Sequence, residues 1–389
     1  MMFSMKHSDK PIYLDYNATT PIDPTVREAM FSYLGEYFGN PSSGYSYGRR
    51  ASDAVQRARE QVACLIGAAS QEVFFTGGGS ESNNHAIIGV ALANSSKGKH
   101  IITSRIEHPA VLHTCRYLEE RLGFRVTYVP VDGYGLVDPD DVCSAITSET
   151  ILITVMHANN EVGTIEPIEE IGDIAMEHGI LFHTDAAQSC GKIKVDVDRL
   201  KVNLLTIAGH KLYAPKGIGA IFIREDTPID PIIHGAGQEH GRRAGTENVP
   251  YIVGLGIACE IARNGLPEYE VKVRPLSYGL HSRIAAGLKE GIVQLNGHPD
   301  ERLPNTLNLS ISDVVGEELL SRIPELAAST GAACHAGSTE PSRVLVEMGL
   351  SRELALGALR LSLGRWTTEK EVALAAELIV QRAKDGTSL

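Results

Sequence analysis

The chain has 389 residues, with 38 Gly, 18 Pro, 43% hydrophobic residues and no repetitive tract, which excludes disordered, collagen-like and low-complexity classes and suits two to three domains at ~150 residues each. Its 36 Lys and Arg against 48 Asp and Glu give a formal charge of −12, so a small-molecule or protein partner is expected, with no nucleic acid and no membrane. The apolar stretches 151–156 and 252–258 fall short of the ~18 to 20 residues a bilayer requires, and the N-terminal MMFSMKHSDK has no apolar h-region, so a cytoplasmic, reducing location is expected.

In chain order, PTVREAMFSYLGEYF and SDAVQRAREQVACLIG read as amphipathic helices joined by the turn-rich GNPSSGYSYG. Between residues 72 and 224 come seven β-branched runs, EVFFT, HIITS, RVTYVPV, TILITVM, LFHTDA, LLTIAG and GAIFIR, most separated by helical stretches such as IEEIGDIAMEHG. Near-continuous apolar strands alternating with helices predict an α/β fold with a mostly parallel sheet covered on both faces. After about residue 266 the pattern changes to a long helix (VRPLSYGLHSRIAAGLKEGI), a strand LNLSIS, a Gly/Ser-rich loop and closing helices. The expected division is a large domain at 20–266 and a smaller α+β domain built from 1–19 and 267–389, with a loop at about 329–342.

Six cysteines without a CxxC pair suggest neither a disulfide framework nor a zinc site. Cys64, Cys143 and Cys259 sit in apolar helical patterns and are expected to be small buried hydrophobes. Cys334 differs, because ASTGAACHAGSTEPS has little apolar content to bury it and places His335 beside the thiol, a setting suited to reactivity. The bland alternative is a loop cysteine of no consequence.

In parallel sheets, ligands bind beyond the carboxyl ends of the strands. There lie Gly77 to Ser82, Glu107 and His108, Asn159 and Asn160, Asp185 and Gln188, and His210 and Lys211. In TGGGSESNN, glycines allow close backbone approach to an anion, and the first N–H groups of a helix with the Ser80 hydroxyl suit a phosphate. The segment matches neither GxGxxG nor a P-loop, and by itself it is equally a Gly-rich turn with Ser80 as helix cap. Asp185 and Lys211 also have ordinary readings, as a cap and a solvated side chain. Together on one sheet edge, a phosphate site, an acid and a lysine meet the demands of pyridoxal-phosphate chemistry: the lysine forms a Schiff base, and the carboxylate keeps the pyridine nitrogen protonated.

The series YLDYNATTP, FGNPSS, FTGGGSESNN, EHPAV, HANNEVGT, HTDAAQ, GHKLYAPKG, HGRRAGTEN, LPNT, GAACHAG and LRLSLGRWTT resembles, over nearly the whole chain, the cysteine desulfurases and related selenocysteine lyases, class V, fold-type-I pyridoxal-phosphate enzymes. The resemblance implies pyridoxal 5'-phosphate held by Lys211, which would then move the Cα proton. It implies Asp185 on the pyridinium nitrogen, Gln188 and Asn160 at the ring hydroxyl, and Gly79, Ser80 and His210 on the phosphate. Thr246 resembles the family threonine that reaches the phosphate of the other subunit in a homodimer. His108 would stack on the ring and take part in proton transfer, Arg360 would bind the substrate carboxylate with Asn160 nearby, and Cys334 would take the sulfur as a persulfide.

One departure is Ala208, where many desulfurases have a serine that adds a hydroxyl to the phosphate site. Ala208 and GAACH look like selenocysteine lyases, whereas HPAVL, GRRAGTEN and GSTEPS look like desulfurases. The expected activity is conversion of L-cysteine to L-alanine, with sulfur passed to an acceptor protein for iron–sulfur cluster or other thio-cofactor assembly. The alternatives are a lyase acting on L-selenocysteine, an aminotransferase on the same fold, and a catalytically silent scaffold. A transaminase has no use for a loop cysteine, and a silent member should have lost Lys211 or Cys334.

Overall fold

The computed structural model describes residues 10–331 and 340–385. All seven β-branched runs are strands of one sheet, in the spatial order Val73–Thr76, Gly219–Ile223, Leu204–Ala208, Leu181–Asp185, Thr150–Thr154, His100–Ser104, Arg125–Val129. Gly219–Ile223 is antiparallel to both of its neighbours, and every other pairing is parallel. Because that one reversal is undone by the next pairing, Val73–Thr76 ends at the same sheet edge as the five consecutive parallel strands. The loops that follow those six strands therefore open together.

Alternate side chains of the strands feed two apolar layers. Phe75, Ile102, Ile153, Phe182, Leu205 and Phe222 pack on one face, and Phe74, Ile101, Leu152, Leu204 and Ile221 on the other. Each such side chain, fully buried, stabilises the fold by ~1.5–3 kcal/mol. The helix Ser46–Ile66 covers the first face through Ala51, Val55, Ala58, Val62 and Ile66 at helical spacing. Cys64 falls off that stripe and is exposed, and so is Cys143, whose short helix Pro139–Ala145 buries only Val142. The expectation of burial holds for Cys259 alone among the three.

A 39-residue helix, Val249–Gly287, contains Pro267 and Pro275 and starts well before the helix expected from the sequence. Prolines remove backbone donors and usually mark helix ends, so the apolar run upstream of Pro267 did not read as the same element. Ile252, Val253, Leu255 and Ala258 belong to the core beneath the large sheet, whereas Val273, Leu276, Leu280 and Ile284 join a second core with Leu14, Leu307, Leu309, Leu359, Leu361 and Ile379. The expected boundary at residue 266 thus falls within a continuous helix. The second core backs an antiparallel sheet in the order Ala358–Ser362, Thr306–Ile311, Val293–Asn296. Ile12–Tyr13 pairs in parallel with Leu326–Ala327, and Asp15 bridges Ser362, which lays the N-terminal segment beside Arg360.

Candidate active site

The loops at the common sheet edge and the N-terminal segment enclose a cavity of about 750 Å³. It is lined by Gly79, Ser80, His108, Asn160, Asp185, Gln188, Ala208, His210, Lys211 and Arg360, so all but two of the expected site residues come together. Thr246 is exposed and lies in an adjoining recess whose wall also contains Gly77, Gly217 and Ile218. Cys334 lies outside the described residues.

Local sequence explains each placement. Gly78, at φ +146°, caps the helix that opens at Gly79 and continues through a π segment at His85–Gly89 to Asn94. Ser80 is therefore in the first turn and is not the cap. Its exposed residue borders the cavity beside first-turn N–H groups that have no helical partner. A Cβ on Gly79 would stand 3.1 Å from the Ala208 Cβ, so strand end and helix start are in close contact. His108 caps the helix Pro109–Leu122, its Nδ1 accepting from the Ala110 N–H at 3.1 Å. The Asn159 side chain accepts from the N–H groups of Glu161 and Val162, folding the turn that presents Asn160.

Asp185, 7% exposed at the end of its strand, accepts from Asn83 Nδ2 at 2.7 Å and from the Ala187 N–H at 2.9 Å. Lys211 ends a short turn, Gly209–Lys211, and its Nζ donates to the main-chain carbonyls of Asn17 and of Ala18, the latter at 2.8 Å. Burial, reinforced by Arg360 and opposed by Asp15 and Asp185, lowers the Lys211 pKa to about 8. About a tenth of its amine is thus unprotonated at pH 7 and free to act as a nucleophile, far more than for an ordinary lysine. Burial and the neighbouring Lys211, Lys216 and His108 bring His210 down to about 4, so its ring is neutral. His108 is also lowered, chiefly by burial, while Asp185 opposes the shift. Arg360 donates from Nη2 to Asp15 at 2.8 Å and from Nη1 to the Asn160 carbonyl at 3.3 Å, and its Nε has no partner among the described residues.

The sequence reading assigns no role to Asn17 and Asn83, which line the cavity, or to Lys192 behind it. Asn17 is the hub. Its side chain meets the Asn160 carbonyl, Thr306, Asn305 and Lys192, and its main-chain carbonyl receives Gln188 and Lys211. Asn17 and Asn83 lie inside quoted motifs and Lys192 four positions past one, but pairings across up to 289 residues have no local signal. Glu161 also lines the cavity. Its carboxylate accepts from Ser342 Oγ, and a Cβ on Gly331 would stand 2.9 Å from it, so both flanks of the Cys334 segment meet at one buried acid.

Residues 12–374 match the model of the aminotransferase class-V family. The chain belongs to that family. Within it, the chain lies in the cysteine desulfurase branch. It is 50% identical to the cysteine desulfurase IscS of Methanosarcina thermophila, over 98% of this chain and 95% of the relative. It is equally identical to that of Dictyoglomus turgidum, over 93% and 92%. A solved NifS-like protein superposes with a TM-score of 0.90 at 37% identity, covering 96% of this chain and all of the other. SspA in complex with cysteine gives 0.81 at 40%, covering 92% and 99%.

Class V members use pyridoxal 5'-phosphate, and the residues present suit that group. A buried lysine amine of lowered pKa, a carboxylate steadied by two donors, and a glycine-lined helix start open on one cavity large enough for a cofactor and an amino acid. Among the described residues there is no His/Cys/Asp/Glu cluster suited to a metal ion and no helix long and apolar enough to cross a membrane.

Proposed function

We propose that this enzyme binds pyridoxal 5'-phosphate through Lys211, converts L-cysteine to L-alanine, and carries the sulfur away as a persulfide on Cys334. The observation that carries the reading is the opening of Lys211, Asp185 and Arg360 on one cavity. When bound, the cofactor draws electron density from the substrate Cα. Asp185 keeps the pyridine nitrogen protonated, Gln188 and Asn160 contact the ring hydroxyl, and Gly79, Ser80 and His210 hold the phosphate. Arg360 exchanges part of its contact with Asp15 and Asn160 for the substrate carboxylate. Lys211 would move the Cα proton, and His108 would stack on the ring and serve proton transfer.

The Cys334 thiolate attacks the substrate Sγ. The S–S bond forms as the Cβ–Sγ bond breaks, the electron pair remains on carbon, and carbon takes up a proton. L-Cysteine and the enzyme thiol thus give L-alanine and the enzyme persulfide, with no external oxidant or reductant. The persulfide passes to an acceptor protein serving iron–sulfur cluster or other thio-cofactor assembly. Residues 20–266 act as the cofactor-binding unit and 1–19 with 267–389 as the unit carrying Cys334, in a homodimer where Thr246 serves the other subunit's phosphate site.

Product analysis tests this reading. Alanine is expected without any keto-acid co-substrate, and Cys334→Ala is expected to stop turnover of L-cysteine while retaining activity on L-selenocysteine, whose selenol is more acidic and leaves more readily. A variant desulfurating cysteine at the wild-type rate would refute the persulfide route. A wild type active on selenocysteine alone would make the protein a selenocysteine lyase.

A further inference from the structure

Gly191 has φ +75°, and a Cβ there would stand 2.3 Å from Leu212 Cδ2 and 3.0 Å from the Ala262 Cβ. Only glycine carries the chain through this turn. Immediately after it, Lys192 is buried at 5% exposure. Its Nζ donates to Gln188 Oε1 at 2.7 Å and to Asn17 Oδ1 at 3.0 Å. Lys192 does not line the main cavity. It borders a second one of about 270 Å³, which it shares with Lys211, Tyr16 and Tyr213.

The orientation of both amides is set independently. Gln188 Nε2 donates to the main-chain carbonyl of Asn17 at 3.0 Å, and Asn17 Nδ2 donates to that of Asn160 at 3.2 Å. A carbonyl can only accept, so the NH₂ groups are committed there and both amide oxygens must face Lys192. The lysine supplies two hydrogens whether charged or neutral. Burial, with Lys211 and Arg360 nearby, pushes its pKa well below the ordinary lysine value. Removing the amine would leave Gln188 Oε1 without the donor that holds it and Asn17 Oδ1 with Asn305 Nδ2 at 2.9 Å in place of two donors, so the Gln188 amide would turn to find a donor.

We propose that Lys192 is a positioning residue for the cofactor site. By holding the oxygens of Gln188 and Asn17, it keeps the Gln188 NH₂ on the Lys211 side of the cavity and steadies the Asn17 carbonyl that receives the Lys211 amine. This inference rests on the reading of Lys211 as the cofactor-bearing lysine and of Gln188 as a partner of the ring hydroxyl. Lys192 acts on the cofactor only through those two amides.

The test strips cofactor from the wild type and from Lys192→Met, reloads each with pyridoxal 5'-phosphate, and titrates the visible absorbance of the lysine-linked cofactor against pH. The midpoint in Lys192→Met is expected to move by ~0.5 pH unit or more, since a lost donor at the ring hydroxyl alters the balance of charge on the ring. Gln188→Ala should move it in the same direction, and the double variant no further than the larger single shift, as expected for two residues acting through one contact. Lys192→Gln keeps an N–H for one of the two oxygens. It should give an intermediate midpoint, and it supplies the measurement should the methionine variant fail to fold. A wild-type midpoint in every Lys192 variant that folds would overturn the proposal, since a lysine that merely stabilises the fold changes the melting temperature and not the titration. A wild type that takes up no cofactor would instead overturn the reading of Lys211.

Discussion

Lys211 holds its amine in protein surroundings that lower its pKa from 10.5 to about 8, with burial as the leading cause. The folded protein therefore binds this proton less tightly than the unfolded chain does. Below pH ~8 both states are protonated and the folded state carries the full penalty of a buried ammonium, whereas between pH ~8 and ~10.5 the folded state loses its proton first and the penalty fades. Replacing the amine by an apolar side chain removes the penalty. Lys211→Met is thus expected to stabilise the cofactor-free protein by about 1–3 kcal/mol at neutral pH, the upper bound being the linkage value before loss of the two carbonyl contacts. Chemical denaturation across pH checks this, and an advantage that grows rather than shrinks above pH ~8 would contradict it. Stability given up for a reactive amine is common at active sites.

At the scale of elements, the end of Leu204–Ala208 and the helix start at Gly79 are packed so closely that only small residues fit at the contact. Ala208 is 3% exposed and lines the cavity beside that helix start. A serine there adds one hydroxyl where an anion would sit, without a large change in volume. Ala208→Ser is expected to tighten pyridoxal 5'-phosphate binding three- to tenfold, about 0.7–1.4 kcal/mol, the net worth of one hydrogen bond. Spectroscopic titration of the cofactor-free protein measures it, and weaker binding would show that the Gly79 contact leaves no room for the hydroxyl. The same contact explains why Gly79 admits no side chain unless Ala208 gives way.

For the molecule as a whole, the helix Val249–Gly287 joins two cores, and the cavity takes Lys211 from a loop of the large sheet and Arg360 from a strand of the small one. Thr246 stands exposed outside that cavity. The helix Pro24–Leu34 and the loop after it also expose Phe31, Leu34 and Phe38 at 62%, 60% and 72%, more apolar surface than single scattered residues require. The proposed two-fold dimer would account for both features. Sedimentation at micromolar concentration is expected to give twice the chain mass, and Phe38→Asp to shift the protein toward monomers. A fully active monomer would refute the dimer.

The seven strands and the polar residues at their ends were legible because a sheet buried on both faces demands continuous β-branched runs, and because glycine, aspartate and lysine at strand ends carry local chemistry. Strand order was not legible, nor was the reversal of Gly219–Ile223, since pairing is set by crossovers and packing that leave no mark on the strand itself. The helix Val249–Gly287 was half read, its two prolines obscuring a continuity that the packing of both cores maintains. Lys211, Asp185 and Gln188 could be named from motifs. Asn17 as the hub that receives two of them, Asn83 behind Asp185 and Lys192 against Asn17 emerge only when residues up to 194 positions apart are folded into hydrogen-bond distance. Buried polar groups must find partners wherever the fold supplies them, and that requirement has no sequence period.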